Sequence, residues 1–328
     1  DATPNKAGPV DQARPLGAQW SNQAAAFDAA MGRVVFLDGS GETWTFDVCT
    51  NTWQLMNPEY RIESGLVSPD DPDGWLGQLV YDVDSDRTIA FRGNSVAVYD
   101  SQTNTWTLRV QPSEYDTGIP GSGAIYHPGS GLVVVQTGES GLVAYDVDTN
   151  TWTPIGQVEW TEQVPPYLVG YQPETEQLVF LGGFDERGML VDAQSGEVNE
   201  SAPLEGGVFA GFGRFDFATG GDSAHVVRPL DGNGGDVCRL DPTNLAWECI
   251  SMTNGPTGFG QGPGLLSASV YDPINSRIVL LYGYADGFNG QRFHEVNDIW
   301  AVDISAGQWA QLLERSGEMT YEEETPES

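Results

Sequence analysis

The residues that decide the fold are 269–309, SVYDPINSRIVLLYGYADGFNGQRFHEVNDIWAVDISAGQW. With the residues leading into it, this stretch holds four short apolar runs, at 266–271, 277–282, 298–303 and 307–312. They are separated by Asp272-Pro273-Ile274-Asn275, by a long Gly- and Asp-rich stretch, and by Ser305-Ala306-Gly307. Short β-rich runs bounded by Asn, Asp, Gly and Pro read as antiparallel strands joined by hairpins. Four such strands make one small twisted sheet, which cannot bury both of its faces alone. It has to stack on copies of itself.

The copies are present. An aromatic residue followed by a turn residue recurs at Phe27-Asp28, Tyr81-Asp82, Tyr126-His127, Tyr171-Gln172, Phe215-Asp216 and Tyr271-Asp272, so successive aromatics lie 44 to 56 residues apart. A second marker closes most repeats: Thr50-Asn51-Thr52-Trp53, Thr103-Asn104-Thr105-Trp106, Thr149-Asn150-Thr151-Trp152, Asn244-Leu245-Ala246-Trp247 and Gly307-Gln308-Trp309. In the fourth repeat Ser195-Gly196-Glu197-Val198 stands in that place and the Trp is lost. Two independent markers in one phase, with four strands per unit, give an all-β, six-bladed β-propeller of four-stranded antiparallel blades. Each repeat is expected to supply all four strands of its own blade, and the closing tryptophans are expected to pack between neighbouring blades.

Gly182-Gly183 after the apolar run 178–181, the run Asn297-Asp298-Ile299-Trp300-Ala301-Val302-Asp303, and the Thr-Asn-Thr-Trp closures resemble kelch repeats over residues 20–313. The Gly doublet is clean only in the fourth repeat; single glycines stand at Gly39, Gly93, Gly138 and Gly283. Kelch propellers include protein-binding modules and a few enzymes, so the resemblance implies the fold and leaves function to the site.

The chain has 328 residues and a formal net charge of −33, from 47 acidic and 14 basic residues, with Lys6 the only lysine. Such a field repels nucleic acid and anionic lipid, and it reads as solubility or as attraction for cations. Residues 1–19 are rich in Pro, Ala and Gly without periodicity and read as a linker or tether left after removal of a targeting segment. Residues 314–328 form an acidic tail, expected to be disordered. No run of 18 apolar residues occurs, so no membrane span is expected. A monomer is expected.

Cys238 and Cys249 flank a hairpin centred on Thr243-Asn244, which sets them opposite each other. Facing Cβ atoms lie about 4.5–5.5 Å apart, near disulfide reach. A disulfide would place the protein in an oxidising compartment, secreted or at the cell surface. The alternative is a pair of small buried hydrophobes. Cys49 sits alone at another hairpin tip.

The turns sort onto two faces. Turns between first and second strands, and between third and fourth, are short and alike in every repeat. The other connections vary: 57–76, 111–123, 157–167, 201–213, 253–264 and 283–297. Variable loops on a rigid scaffold are where binding is placed. They carry Tyr60, Arg61, Trp75, Phe259, Tyr284, Phe288 and Arg292, the residue types that dominate recognition energetics. Flat rings with Arg and acids among them suit a protein partner or sugar rings, although some of the aromatics are expected only to plug the channel or wedge between blades. Two stretches place oxygen ligands around glycines: Asp70, Asp71 and Asp73, and Asp231, Asn233 and Asp236. Each suits Ca²⁺, but neither has full EF-type spacing, and a solvated acidic loop or a tight Gly turn competes.

Enzyme readings need more than the sequence offers. The copper chemistry known among kelch propellers requires two His, two Tyr and a Cys–Tyr crosslink on the axis. Here His127, His225 and His294 fall in three different structural positions. Sialidase-like chemistry needs an arginine cluster; Arg61, Arg92, Arg187, Arg214, Arg228 and Arg292 supply arginines, with no motif fixing them. A non-catalytic binding module for a protein or glycan is the leading expectation. The alternative is a propeller hydrolase or lyase acting on an extracellular carbohydrate.

Overall fold

The computed structural model of the protein describes residues 7–9, 11–15, 24–38, 41–59, 79–92, 95–115, 123–137, 141–157, 167–182, 187–193, 195–203, 216–220, 223–228, 236–241, 243–255, 268–285 and 294–316. Among these, 24 strands form six four-stranded antiparallel sheets, each built from four consecutive strands. Blade one is β1–β4 (Ala24–Asp28, Arg33–Leu37, Thr43–Asp47, Thr52–Leu55) and blade two is β5–β8 (Leu79–Asp82, Arg87–Arg92, Ser95–Asp100, Thr105–Val110). Blade three is β9–β12 (Ala124–His127, Leu132–Thr137, Gly141–Asp146, Thr151–Gln157) and blade four is β13–β16 (Tyr167–Gln172, Gln177–Gly182, Arg187–Asp192, Val198–Pro203). Blade five is β17–β20 (Asp216–Gly220, Ser223–Arg228, Asp236–Leu240, Trp247–Ser251) and blade six is β21–β24 (Ala268–Asp272, Arg277–Ala285, His294–Asp303, Gln308–Leu313). As the repeat pattern predicts, among the described residues no blade borrows a strand from the other terminus.

The first strand of each blade touches the first strand of the next, and β21 returns to β1. The first strands therefore surround the axis and the fourth strands form the rim, the arrangement of a propeller. The core lies between blades. Val35 and Leu37 of blade one pack with Ala90, Ala97 and Tyr99 of blade two. Val80, Ile89 and Phe91 of blade two pack with Val133, Val135 and Tyr145 of blade three. At the junction of blades six and one, Val279, Leu281 and Ile299 meet Val34, Phe36 and Phe46. Strands buried on both faces read as near-continuous apolar runs, which is why 277–282 lacks polar alternation.

The closing tryptophans behave as wedges. Trp53, Trp106 and Trp309 are buried, each in a cluster shared with the preceding blade. Trp152 is half-buried against blade two, its ring 6.0 Å from Phe91. Val198 takes the place of the missing Trp in blade four and packs toward Ile125 and Val134 of blade three. Trp247 is only half-buried.

The turns between third and fourth strands share one backbone device. A residue one or two positions before the fourth strand adopts positive φ in every blade: Asn51, Asn104, Asn150, Gly196, Leu245 and Gly307. Asn and Gly tolerate this left-handed conformation, whereas a leucine pays for its Cβ. Leu245 has φ 56° and replaces the usual Asn or Gly. Leu245→Asn is expected to raise the unfolding free energy by about 1 kcal/mol. Denaturant melting checks this, and a destabilised variant would show that Leu245 repays its strain by packing.

The disulfide is present. Cys238 in β19 pairs in register with Cys249 in β20, with Cα atoms 4.0 Å apart. Cys49 is a free, exposed thiol. No helix among the described residues is long and apolar enough to cross a membrane.

Candidate functional site

Strand polarity divides the ring into two faces. One bears the first-to-second and third-to-fourth turns, and the other bears the remaining connections. The polar side chains of the turn face are spent on the turns themselves. Asp47 Oδ1 accepts the N–H groups of Cys49 and Thr50, Asp100 Oδ1 those of Gln102 and Thr103, and Asp146 Oδ1 those of Asp148 and Thr149. Asp28, Asp82 and Asp272 do the same at the first turns. These are Asx-type turns, in which the carboxylate closes the loop it opens. Much of the acidity on this face is turn chemistry. The N–H group of Thr149 holds the Asp146 carboxyl below the usual carboxylate range. Val83-Asp84-Ser85-Asp86-Arg87 is a tight turn, as its alignment with residues 273–277 suggests.

His127 takes the Asp role in blade three. Its Nδ1 accepts the N–H of Ser130 at 3.1 Å, and its ring packs edge-on to Tyr171 of blade four, 4.8 Å between centroids. Accepting that bond requires the neutral ring, and burial lowers the His127 pKa. In the window from the usual value near 6.5 (about that of free histidine) down to the lowered folded value, the unfolded chain binds a proton that the folded chain refuses. Stability is therefore full above about pH 6.5 and falls as pH drops through that window. His127→Asp should flatten this part of the melting profile between pH 7.5 and 5.5, since Asp28, Asp82 and Asp272 hold the same turn. An unchanged slope would mean that His127 is not its source.

Among the described residues, blade six reaches furthest onto the opposite face. β22 and β23, at nine and ten residues, are the longest strands among those described. β21 begins opposite Leu281 and β24 ends opposite Ile299. Beyond that point β22 and β23 continue as a two-stranded ribbon, pairing Gly283 with Val296, Tyr284 with Glu295 and Ala285 with His294, past a register shift between Leu281 and Gly283. A bulge of this kind re-aims a strand end. The sequence reading ended these strands at 282 and began them at 298 and took 283–297 for an irregular insertion. The ribbon corrects it: Tyr282-Gly283-Tyr284 and His294-Glu295-Val296 carry strand-forming residues that the flanking glycines and Asp286 obscured.

The base of the ribbon is braced. Asp298 is buried; its Oδ2 accepts the Trp300 Nε1–H at 3.0 Å, and its Oδ1 lies 3.6 Å from Arg315. Asn297 donates its side-chain amide to the Ser316 carbonyl and accepts the Ser316 N–H, each at 3.0 Å. Arg14 donates to the carbonyls of Asn297 and Glu314.

Of the expected ligand contacts, Tyr284 lies in this ribbon, paired with Glu295. Tyr60, Arg61, Trp75, Phe259, Phe288 and Arg292 lie outside the described residues. Of the expected calcium ligands, Asp236 opens β19 opposite Arg228 and Ser251. Asp70, Asp71, Asp73, Asp231 and Asn233 lie outside the described residues. Among the described residues no group of three or more His, Cys, Asp or Glu side chains is placed to hold a metal ion. Asp38, at the Gly-rich turn of blade one, is a structural acceptor for Glu42 N–H and Trp44 Nε1.

Sequence reasoning missed the seam between blades six and one. Arg277, 1 % exposed, pairs through Nε with Asp272 Oδ2 at 3.0 Å and donates from Nη2 to the Val48 carbonyl of blade one at 2.7 Å. It also missed the contacts of the segment expected to tether the ring, in which Gly8, Gln12 and Arg14 hydrogen-bond to blades one and six. An Arg directly after a turn is an ordinary surface pattern, so the sequence carried no signal of its burial.

No family model matches the chain, and no characterised protein matches it by sequence. Solved structures do match. A protein called YjhT superposes with a TM-score of 0.57 at 13% identity, covering 90% of this chain and 98% of that one. A structural-genomics protein of unknown function from Bacteroides thetaiotaomicron gives 0.54 at 14%, covering 84% and 70%. A fungal copper-bound alcohol oxidase gives 0.53 at 13%, covering 92% and 67%. At these identities the likeness is one of fold, and the fold is the β-propeller.

Proposed function

We propose that this propeller is a non-catalytic binding module, working outside the cell as a monomer, that engages a protein or a glycan through its variable-loop face. The observation that carries the reading is the β22–β23 ribbon, which extends past its sheet on that face with Tyr284 in it. The ribbon is braced at its base by Asn297 and Asp298, which favours a fixed platform over a loop that must be ordered on binding. The opposite face supports the same assignment, because its carboxylates already accept the N–H groups of their own turns. The Cys238–Cys249 disulfide suits an oxidising compartment. The Thr-Asn-Thr-Trp closures and Gly182-Gly183 favour a kelch-type repeat. Calcium would assist at Asp70, Asp71 and Asp73, or at Asp231, Asn233 and Asp236.

A copper oxidase resembling the fungal neighbour is the less favoured reading, because His127 sits on the turn face with its ring committed to Ser130 and Tyr171. A glycan array probed with and without calcium, run beside an assay for released sugar ends and for peroxide, separates the readings. Saturable binding without product is the expected result. Turnover of any bound glycan would replace the binding reading with an enzymatic one.

A further inference from the structure

We propose that the seam between blades six and one is a peptide groove, and that its occupant is the chain's own segment 7–15, which clasps the ring closed in cis. Every other pair of neighbouring blades is consecutive in the chain; this pair meets only through non-covalent contacts. The seam between blades five and six offers the comparison at its rim. There Thr253, just past β20, forms a parallel bridge with Gln308 of blade six: its N–H donates to the Gly307 carbonyl at 3.0 Å, and its carbonyl accepts the Trp309 N–H at 2.8 Å. By position in the repeat, Gly307 and Trp309 correspond to Asn51 and Trp53 of blade one.

At the seam of blades six and one, the side chain of Gln12 makes the same two bonds. Its Nε2 donates to the Asn51 carbonyl at 3.0 Å, and its Oε1 accepts the Trp53 N–H at 2.6 Å. A carboxamide offers a donor and an acceptor much as a peptide group does, so Gln12 stands in for the backbone of Thr253. Its neighbours reach the other side. Gly8 N–H donates to the Leu312 carbonyl at 2.8 Å, and Arg14 donates to the Glu314 carbonyl at 2.8 Å and the Asn297 carbonyl at 3.3 Å. The segment thus bonds to blade six, then one, then six again, always to main-chain groups. Gly8 is required sterically, because a Cβ there would run into the Asn51 carbonyl. The groove therefore reads Gly, three residues, Gln, one residue, Arg.

The test uses the full chain carrying Gln12→Ala and Arg14→Ala, with amide hydrogen exchange as readout. The Trp53 amide should exchange at least tenfold faster than in the native chain, while the Trp309 amide, held by Thr253, keeps its rate. A synthetic peptide of residues 7–15 should restore slow exchange at Trp53 saturably, and the same peptide with Gly8→Ala should not. Unchanged exchange at Trp53 would overturn the proposal, as would equal rescue by the Gly8→Ala peptide. Native chain whose protection at Trp53 depends on protein concentration would show the segment acting between copies, which also overturns it.

Discussion

Replacing Trp106 with alanine will lower the unfolding free energy by about 3–5 kcal/mol, as truncation of large buried aromatics does. The ring is 4 % exposed, tilts against Tyr99 at 4.8 Å between centroids, and packs with Ala26, Val35 and Leu37 of blade one. Its indole N–H donates to the Thr43 hydroxyl at 2.8 Å across the blade junction. The substitution therefore opens a cavity between two blades and leaves a buried hydroxyl short of a partner, costs that add. Trp247→Ala should cost much less, because that ring is half-buried. Denaturant unfolding of the two variants checks the contrast. A loss under about 1 kcal/mol for Trp106→Ala would remove the wedge role from the closing tryptophans.

The second large effect is expected at Arg277. Burial lowers its pKa and Asp272 opposes that shift, so the guanidinium keeps its charge inside the seam. Arg277→Met leaves the Asp272 carboxylate buried with only the N–H groups of Ile274 and Asn275 and the Asn275 amide. Breaking a buried pair from one side costs about 3–5 kcal/mol, and removing both charges recovers much of it. Arg277→Met should therefore be strongly destabilised, and Arg277→Met with Asp272→Asn should regain a large part. Added salt should change little, since a pair this deep is poorly screened. Equal losses in the single and double variants would show that the cost lies in packing around the arginine stem.

These two sites mark how far the sequence could be read. The tryptophan wedges were legible because the marker recurs in phase: Trp53, Trp106, Trp152 and Trp309 all return to the same junction position, and Val198 fills it where the Trp is lost. The Cys238–Cys249 pairing was legible because a hairpin's register is fixed by its turn. The seam was not. Arg277 and Arg14 reach across the seam over 226 to 300 residues of sequence and Gln12 over 39 and 41, and nothing local distinguishes them from surface residues. The ribbon was hidden for a different reason. Gly283, Asp286 and Gly287 broke the apolar pattern that signals a strand, while the backbone pairing continued through Gly283 to Ala285. On the candidate face, the aromatic and arginine content was legible, and only the placement of Tyr284 joins it to a described element.

The most direct measurement of the functional claim compares the two faces with one ligand, the strongest glycan recovered on the array. Trp75→Ala and Arg292→Ala, in connections that the sequence assigns to the loop face, should each weaken binding by more than about 1 kcal/mol, roughly fivefold or more in Kd, with melting unchanged. Thr103→Ala, at an exposed turn of the opposite face, should bind as the native chain does. Normal binding by both loop-face variants, with loss of binding on Thr103→Ala, would place the site on the turn face and contradict the assignment.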